Sequence, residues 1–145
     1  MAHYSYSFNN IVCIVGGITV EGWSDDANAI SISYIDEQIN QIVGADGDTV
    51  TSLIKNYQAN ITLSLNYGSP TNEIFSKIIT GYRAGIIVPT PLLIKDNSGQ
   101  DLHSSAHVNL VKNPDTNYGA NNSAIVWELR SPELISYNGG GNRLA

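Results

Sequence analysis

The sequence predicts a mainly β fold, an antiparallel β-sandwich or barrel carrying one α-helix at about residues 70–80. Three observations carry that expectation. Several segments alternate strictly between apolar and polar residues, glycine pairs or polar turns separate them, and one stretch repeats its apolar residues at helical spacing instead. The chain has 145 residues, 42% of them hydrophobic and 14% charged, which is enough to bury a core without metals or disulfides. It reads as a single domain over 1–145, with a long hairpin arm at about 36–56.

Taken in order, "NIVCIVGGITVEGW" is a pair of apolar runs joined by Gly16-Gly17, residues that both tolerate the positive φ a tight hairpin needs. In "AISISYI" Ile30, Ile32 and Tyr34 fall on one face and Ser31 and Ser33 on the other. "INQIV" and "TVTSLI" are strand-like arms around "GADGD", which contains the Asp46-Gly47 pair favoured in tight turns. "NITLSLNY" sets Ile61, Leu63 and Leu65 against Thr62, Ser64 and Asn66. "SPTNEIFSKIITG" then changes period. Ser69 suits an N-cap, Pro70 the first helical position and Gly81 the C-terminal stop, while Ile74, Phe75, Ile78 and Ile79 form one apolar stripe. "PLLIKDNSGQDLHSSAHVNLV" predicts a hairpin turning at "DNSG". "SAIVWELR" groups Ile125, Trp127 and Leu129, and "ELISY" adds a last short strand.

Charge is distributed unevenly. The formal net charge is −6, yet residues 1–54 hold Glu21, Asp25, Asp26, Asp36, Glu37, Asp46 and Asp48 with no Lys or Arg. Such a segment repels nucleic-acid phosphate and disfavours specific DNA binding. Its plain alternative is a solvated acidic surface. The N-terminus "MAHYSYSFNN" lacks the basic and apolar regions of a signal peptide, and no apolar run has bilayer-spanning length, so synthesis in a cytosol without membrane insertion is expected.

Chemistry does not assemble along the chain. From Asp46, the twelfth position of a calcium loop falls on Tyr57, where a bidentate acid is required, so "QIVGADGDTV" reads as a hairpin turn. His103 and His107, with Asp101, share even spacing and define a conceivable metal face, against the simpler reading of surface histidines. His3 lies in a segment expected to be mobile. Cys13 sits in an apolar run as a small core residue, and "GGG" at 139–141 lacks the strand-to-helix setting of a phosphate loop. No catalytic residues, metal or cofactor are expected, and the chain does not read as an enzyme.

The succession "VCIVGGITVEGW", "AISISY", "QIVGADGDTVTS", "NITLSL", "SPTNEIFSKI", "PLLIKDNSG" and "ELISYNGGG" resembles the tail tube protein family of long-tailed, chiefly contractile-tailed bacteriophages, from about Phe8 to Gly141. The resemblance implies a structural virion protein, made in the host cytoplasm and placed in the viral tail. Six copies would form a ring, rings would stack as a helical assembly, and strands would join across subunits around a lumen that DNA crosses during genome ejection. Partners would be the chain itself, with sheath, baseplate and tail-terminator proteins, and DNA only as passing cargo. Under this reading Asp25, Asp26, Asp36 and Glu37 are candidates to line the lumen. Ile39, Ile42, Val43, Asp46, Asp48, Val50 and Leu53 are candidates for an inter-subunit arm, grouped as Ile39, Val43 and Val50 on one face and Ile42 and Leu53 on the other, unless the hairpin folds back on its own core. The polar stretch 113–123 either faces a sheath or is a tolerant surface loop. Two other readings remain: the inner tube of a bacterial secretion or injection machine, and a carbohydrate-binding module using Tyr4, Tyr6, Trp23, Tyr118 and Tyr137.

Overall fold

The computed structural model describes residues 3–139 and 142–144. Two antiparallel sheets face each other. The first contains β2 (Ile11–Val15), β3 (Ile18–Thr19), β8 (Leu92–Asp96), β9 (Leu102–Ser105) and β12 (Ile135–Tyr137), in the order β12-β9-β8-β2-β3. The second contains β4 (Ile30–Tyr34), β7 (Ala59–Leu65), β10 (Asn109–Leu110) and β11 (Ile125–Ser131), in the order β10-β11-β7-β4. Two ribbons stand apart from these sheets. One pairs β5 (Ile39–Val43) with β6 (Thr49–Leu53), and the other pairs β1 (His3–Ser5) with β13 (Asn142–Leu144).

Alternation in the sequence becomes the two sides of each sheet. Ile61, Leu63 and Leu65 of β7 are fully buried, and opposite them in register stand Leu129, Trp127 and Ile125 of β11. From the facing sheet Cys13, Val15, Leu92 and Ile94 complete the core. The expected turns are also found. Gly16 and Gly17 have φ of +63° and +82° between β2 and β3, and residues 97–101 turn β8 into β9.

Helix α1 (Thr71–Arg83) closes one side. Pro70 stands immediately before its first residue with helical φ −65°, and Ser69 Oγ accepts the Thr71 N–H at 3.3 Å, as its capping chemistry predicts. Phe75 is buried edge-on against Trp127, with ring centroids 5.3 Å apart. Trp127 Nε1–H donates to Asn72 Oδ1 at 2.9 Å, and Tyr82 OH accepts the Leu110 N–H at 3.2 Å, so both ends of the helix are tied to the second sheet.

Three expectations are corrected. The helix does not stop at Gly81: it continues to Arg83 and ends in a Schellman motif, with Gly85 at φ +77°, Gly85 N–H donating to Tyr82 O and Ile86 N–H to Gly81 O, both at 3.0 Å. His3 lies in an ordered ribbon opposite Leu144 and not in a loose end, since β13 supplies the ladder partner. Ser64, assigned to the solvated face of its strand, is buried because residues 24–26 fold over it: Ser64 Oγ lies 2.8 Å from Ser24 Oγ and donates to Asp26 Oδ2 at 2.7 Å. Of the triple glycine, Gly140 and Gly141 lie outside the described residues.

The 20–24 segment also meets the 66–69 turn closely. Gly22 has φ +75°, and a Cβ there would lie 2.7 Å from both Cβ and Oγ of Ser69. Gly22→Ala therefore combines left-handed strain with a clash and is expected to cost on the order of 2 kcal/mol. Urea midpoints test this against Gly68→Ala, which enters open space and is expected to change little.

Candidate assembly interface

The ribbon β5–β6 is an arm whose residues are all exposed. Its turn is the one the sequence predicts: Gly44 N–H donates to Asp48 O at 2.7 Å, Gly47 N–H to Gly44 O at 3.0 Å, and Asp46 Oδ1 accepts the Asp48 N–H at 3.2 Å. The expected grouping of its apolar residues is overturned by the register. Ile39 pairs with Leu53, Ile42 with Val50 and Val43 with Thr49. Directly paired residues share a face, so Ile39, Val43 and Leu53 lie together and Ile42 and Val50 lie opposite. Ile42 is 60% and Val50 63% exposed in the isolated chain. Apolar residues thus stand exposed on both faces of the hairpin, uncovered by the rest of the described chain.

The second sheet presents two unequal faces. Its outward side carries Ser31, Ser33, Asn60, Thr62, Glu128 and Arg130, with Val126 the apolar exception on β11, and Arg130 Nε–H donates to Asn60 Oδ1 at 2.9 Å. Strands β4 and β10 form its two edges among the described residues, and each leaves one side of its ladder open. The first sheet is different outside. Ile14, Leu93, Ser104 and Ile135 form one cross-strand row there, and Val12, Lys95, Leu102 and Tyr137 the next, a largely apolar surface in which Leu102, Ile135 and Tyr137 are exposed.

The acidic residues singled out from sequence gather around β4. Asp25 and Asp26 precede it, and Asp26 is held by Ser64. Asp36 and Glu37 follow it, where Asp36 Oδ2 accepts from Asn56 Nδ2 at 2.6 Å at the base of the arm. Asp46 and Asp48 lie in the exposed turn of the arm. The two groups sit at opposite ends of β4, so the acidic first third is a strand edge with carboxylates at both ends.

Between the sheets, beside β4, lies a cleft of about 780 Å³ lined by Ile30, Ile32, Tyr34, Ile94 and His103 among others. A polar bridge spans it. Tyr34 OH lies 2.8 Å from Leu134 O and 2.6 Å from Ser136 Oγ, and Ser136 Oγ lies 2.8 Å from His103 Nδ1. His107 is engaged elsewhere, its Nδ1 accepting the Thr90 N–H at 3.3 Å. The two histidines thus belong to separate contacts, and the described residues contain no group of three or more metal-ligating side chains. Cys13 is buried, and that burial pushes its thiol up to about 12.

Burial lowers the His103 pKa, with the Asp101 charge opposing in part. The fold therefore prefers neutral imidazole. Its contribution to stability is complete above the ordinary imidazole value of about 6.5 and is lost as pH falls through the lowered value. Thermal melts are expected to lose stability on acidification through this range. His103→Gln should flatten that slope and leave the midpoint at neutral pH near that of the parent.

Three of the aromatics weighed for sugar stacking have separate settings. Trp23 packs edge-on to Phe8, with centroids 5.6 Å apart, Tyr118 faces Tyr67 at 6.3 Å, and Tyr137 stands on the outer face of the first sheet.

Among the described residues the chain is a two-sheet sandwich with open strand edges and a bare apolar hairpin. The chain matches the Bacteriophage PhiTE tail tube protein family over residues 1–136 and belongs to it. It is a tail tube protein of mainly β structure. No curated protein matches the sequence. The fold is similar to a chain in the cryo-EM structure of the PVC sheath–tube complex of an extracellular contractile injection system in its extended state (TM-score 0.63, 14% identity, 92% of each chain covered). It is also similar to a chain of the PVC sheath/tube terminator in the extended state (TM-score 0.61, 14% identity, 93% of this chain and 98% of the other). A third likeness is to the anti-feeding prophage cap, a tube-terminating cap (TM-score 0.63, 14% identity, 94% and 93%). Among the described residues, no helix is long and apolar enough to cross a membrane.

Proposed function

We propose that six copies of this chain close into a ring, that rings stack into the hollow tube of a phage tail, and that DNA passes through it into the host. The observation that supports this most directly is the second sheet. It has a largely polar outer face bounded, among the described residues, by the open edges of β4 and β10, in a chain of the tail tube family. Joining the β4 edge of one copy to the β10 edge of the next removes both open edges and continues the sheet around a channel. The polar outer face then becomes the channel wall, and the apolar outer face of the first sheet is left for a sheath. Baseplate and terminator proteins would cap the ends, and subunits would be made in the host cytoplasm before joining the virion.

In this arrangement Asp25, Asp26, Asp36 and Glu37 stand at the two rims of the channel wall. Repeated sixfold, they form rings of negative charge that repel the DNA backbone and let it slide. The test is a phage carrying Asp36→Lys with Glu37→Lys. Tails should assemble, and DNA delivery should slow because the polymer is now retained at cationic rims. Unchanged delivery from normal tails rejects the rim placement. Purified chain that forms no rings or tubes at any concentration, or with its virion partners, rejects the assembly itself. A second reading, the tube of a contractile injection system, is favoured by the likeness to chains of such complexes. It predicts particles with the same tube but no genome.

A further inference from the structure

We infer that residues 86–88, an apolar strap beside β10, are the receptor on one copy for the β5–β6 arm of the neighbouring copy in the same ring. The inference rests on the ring assembly proposed above and adds its lateral contact. Ile86, Ile87 and Val88 are 58%, 65% and 55% exposed, and form a continuous apolar run outside the core. The run is held at both ends. Ile86 N–H donates to Gly81 O at 3.0 Å in the helix cap, while Thr90 Oγ1 donates to Val88 O at 3.0 Å and Thr90 O accepts the Val108 N–H at 2.8 Å. Pro89 further restricts Val88 toward extended conformations. A strap fixed in this way loses little entropy on being covered.

Register places the two surfaces for each other. Tyr34, Ala59 and Ser131 form one row across β4, β7 and β11, and Ser33, Asn60, Arg130 and Asn109 form the next. The arm leaves β4 after Tyr34 and rejoins β7 at Ala59, so it springs from the end of the sheet marked by that row. The strap reaches Thr90, which bonds Val108 just before Asn109, so it lies at the same end but beside the opposite edge. Within one chain those edges are three strand spacings apart, roughly 14 Å. When the β4 edge of one copy sits against the β10 edge of the next, that separation closes and the arm comes beside the strap.

Charge agrees with this placement. The arm and its base carry Asp36, Glu37, Asp46 and Asp48, with Lys55 the nearest basic residue along the chain. The strap follows Arg83, exposed in the last helical turn. An acidic, apolar arm meeting a basic, apolar strap favours head-to-tail order over face-to-face pairing, in which like charges would meet.

Cysteine cross-linking of the full-length chain tests this, with buried Cys13 kept as the native residue. Val50→Cys protein mixed with Ile87→Cys protein is expected to give a disulfide-linked dimer on oxidation. The double variant should give a ladder reaching six copies on a non-reducing gel. Arg83→Glu should reduce assembly at least tenfold, and Asp48→Lys in the same chain should restore part of that loss. Tubes that form normally without the Val50–Ile87 link, or that link Val50→Cys to Leu102→Cys instead, overturn the strap as receptor and leave the ring standing. Parent chain that never assembles overturns both.

Discussion

Replacing Ile42 and Val50 together by aspartate is expected to abolish tube formation and to leave the isolated chain as stable as the parent. The two residues are a directly opposed pair on one face of the arm, and each is more than half exposed. No core contact depends on them, so exposed substitutions there should shift unfolding free energy by no more than about 0.5 kcal/mol. Under the proposed assembly a neighbour covers the same pair, and an uncompensated buried carboxylate would cost on the order of 3 kcal/mol, more than a hundredfold in association, at every contact. A closed ring repeats that penalty at each subunit boundary. Circular dichroism melts report the chain, and sedimentation with negative-stain microscopy reports the polymer. Loss of both signals would make the arm part of the fold's own core. Loss of neither would remove it from the interface.

How much of this was legible in the sequence depends on whether local or long-range pairing sets the answer. Ile61, Leu63 and Leu65 reveal their side of β7 because a strand buried on one face must alternate, whatever lies beside it. The Gly16-Gly17 and Asp46-Gly47 turns were readable because their backbone geometry admits few residue types. The arm's faces were not, because their phase is set by loop length. Five residues, 44–48, place Val43 opposite Thr49, so Val50 joins Ile42 and not Ile39. Gly81 misled for a related reason: a glycine signals a helix end only weakly, and here Tyr82 packs on β10 and carries the helix onward to Gly85. The β1–β13 ribbon joins the two ends of the chain, which no local pattern encodes.

The acidic first third and the "IIV" at 86–88 show the same limit. Sequence reported an imbalance of charge, and topology turned it into an edge: residues before and after β4 are adjacent in the chain to a strand that the sheet order leaves outermost. The strap had no periodic signature because it is neither strand nor helix. Its signal was an apolar run between a helix-ending glycine and Pro89, where a solvated loop would carry polar residues.

Trp127→Ala is the substitution expected to damage the chain most. Trp127 is fully buried on β11, lies against Phe75 of the helix and donates to Asn72 at the helix start. Removing an indole from such a site leaves a cavity and an unpaired amide, and costs about 3–5 kcal/mol. That is a large part of the roughly 5–15 kcal/mol holding a domain of this size folded, and corresponds to a fall in Tm of about 10 °C or more. Trp127→Phe separates the two contributions, because it keeps a ring beside Phe75 and removes only the N–H. Its expected cost is about 1–3 kcal/mol. The consequence reaches the interface as well. The helix that Trp127 holds ends in the cap that fixes Ile86, so loosening it should free the strap before the sheets separate. Hydrogen exchange at the Ile86 and Gly85 amides, both bonded into that cap, should therefore accelerate in Trp127→Phe more than exchange along β7. Equal acceleration at both would mean that helix and sheets open as one unit, and the strap would have no independent hold on the tube.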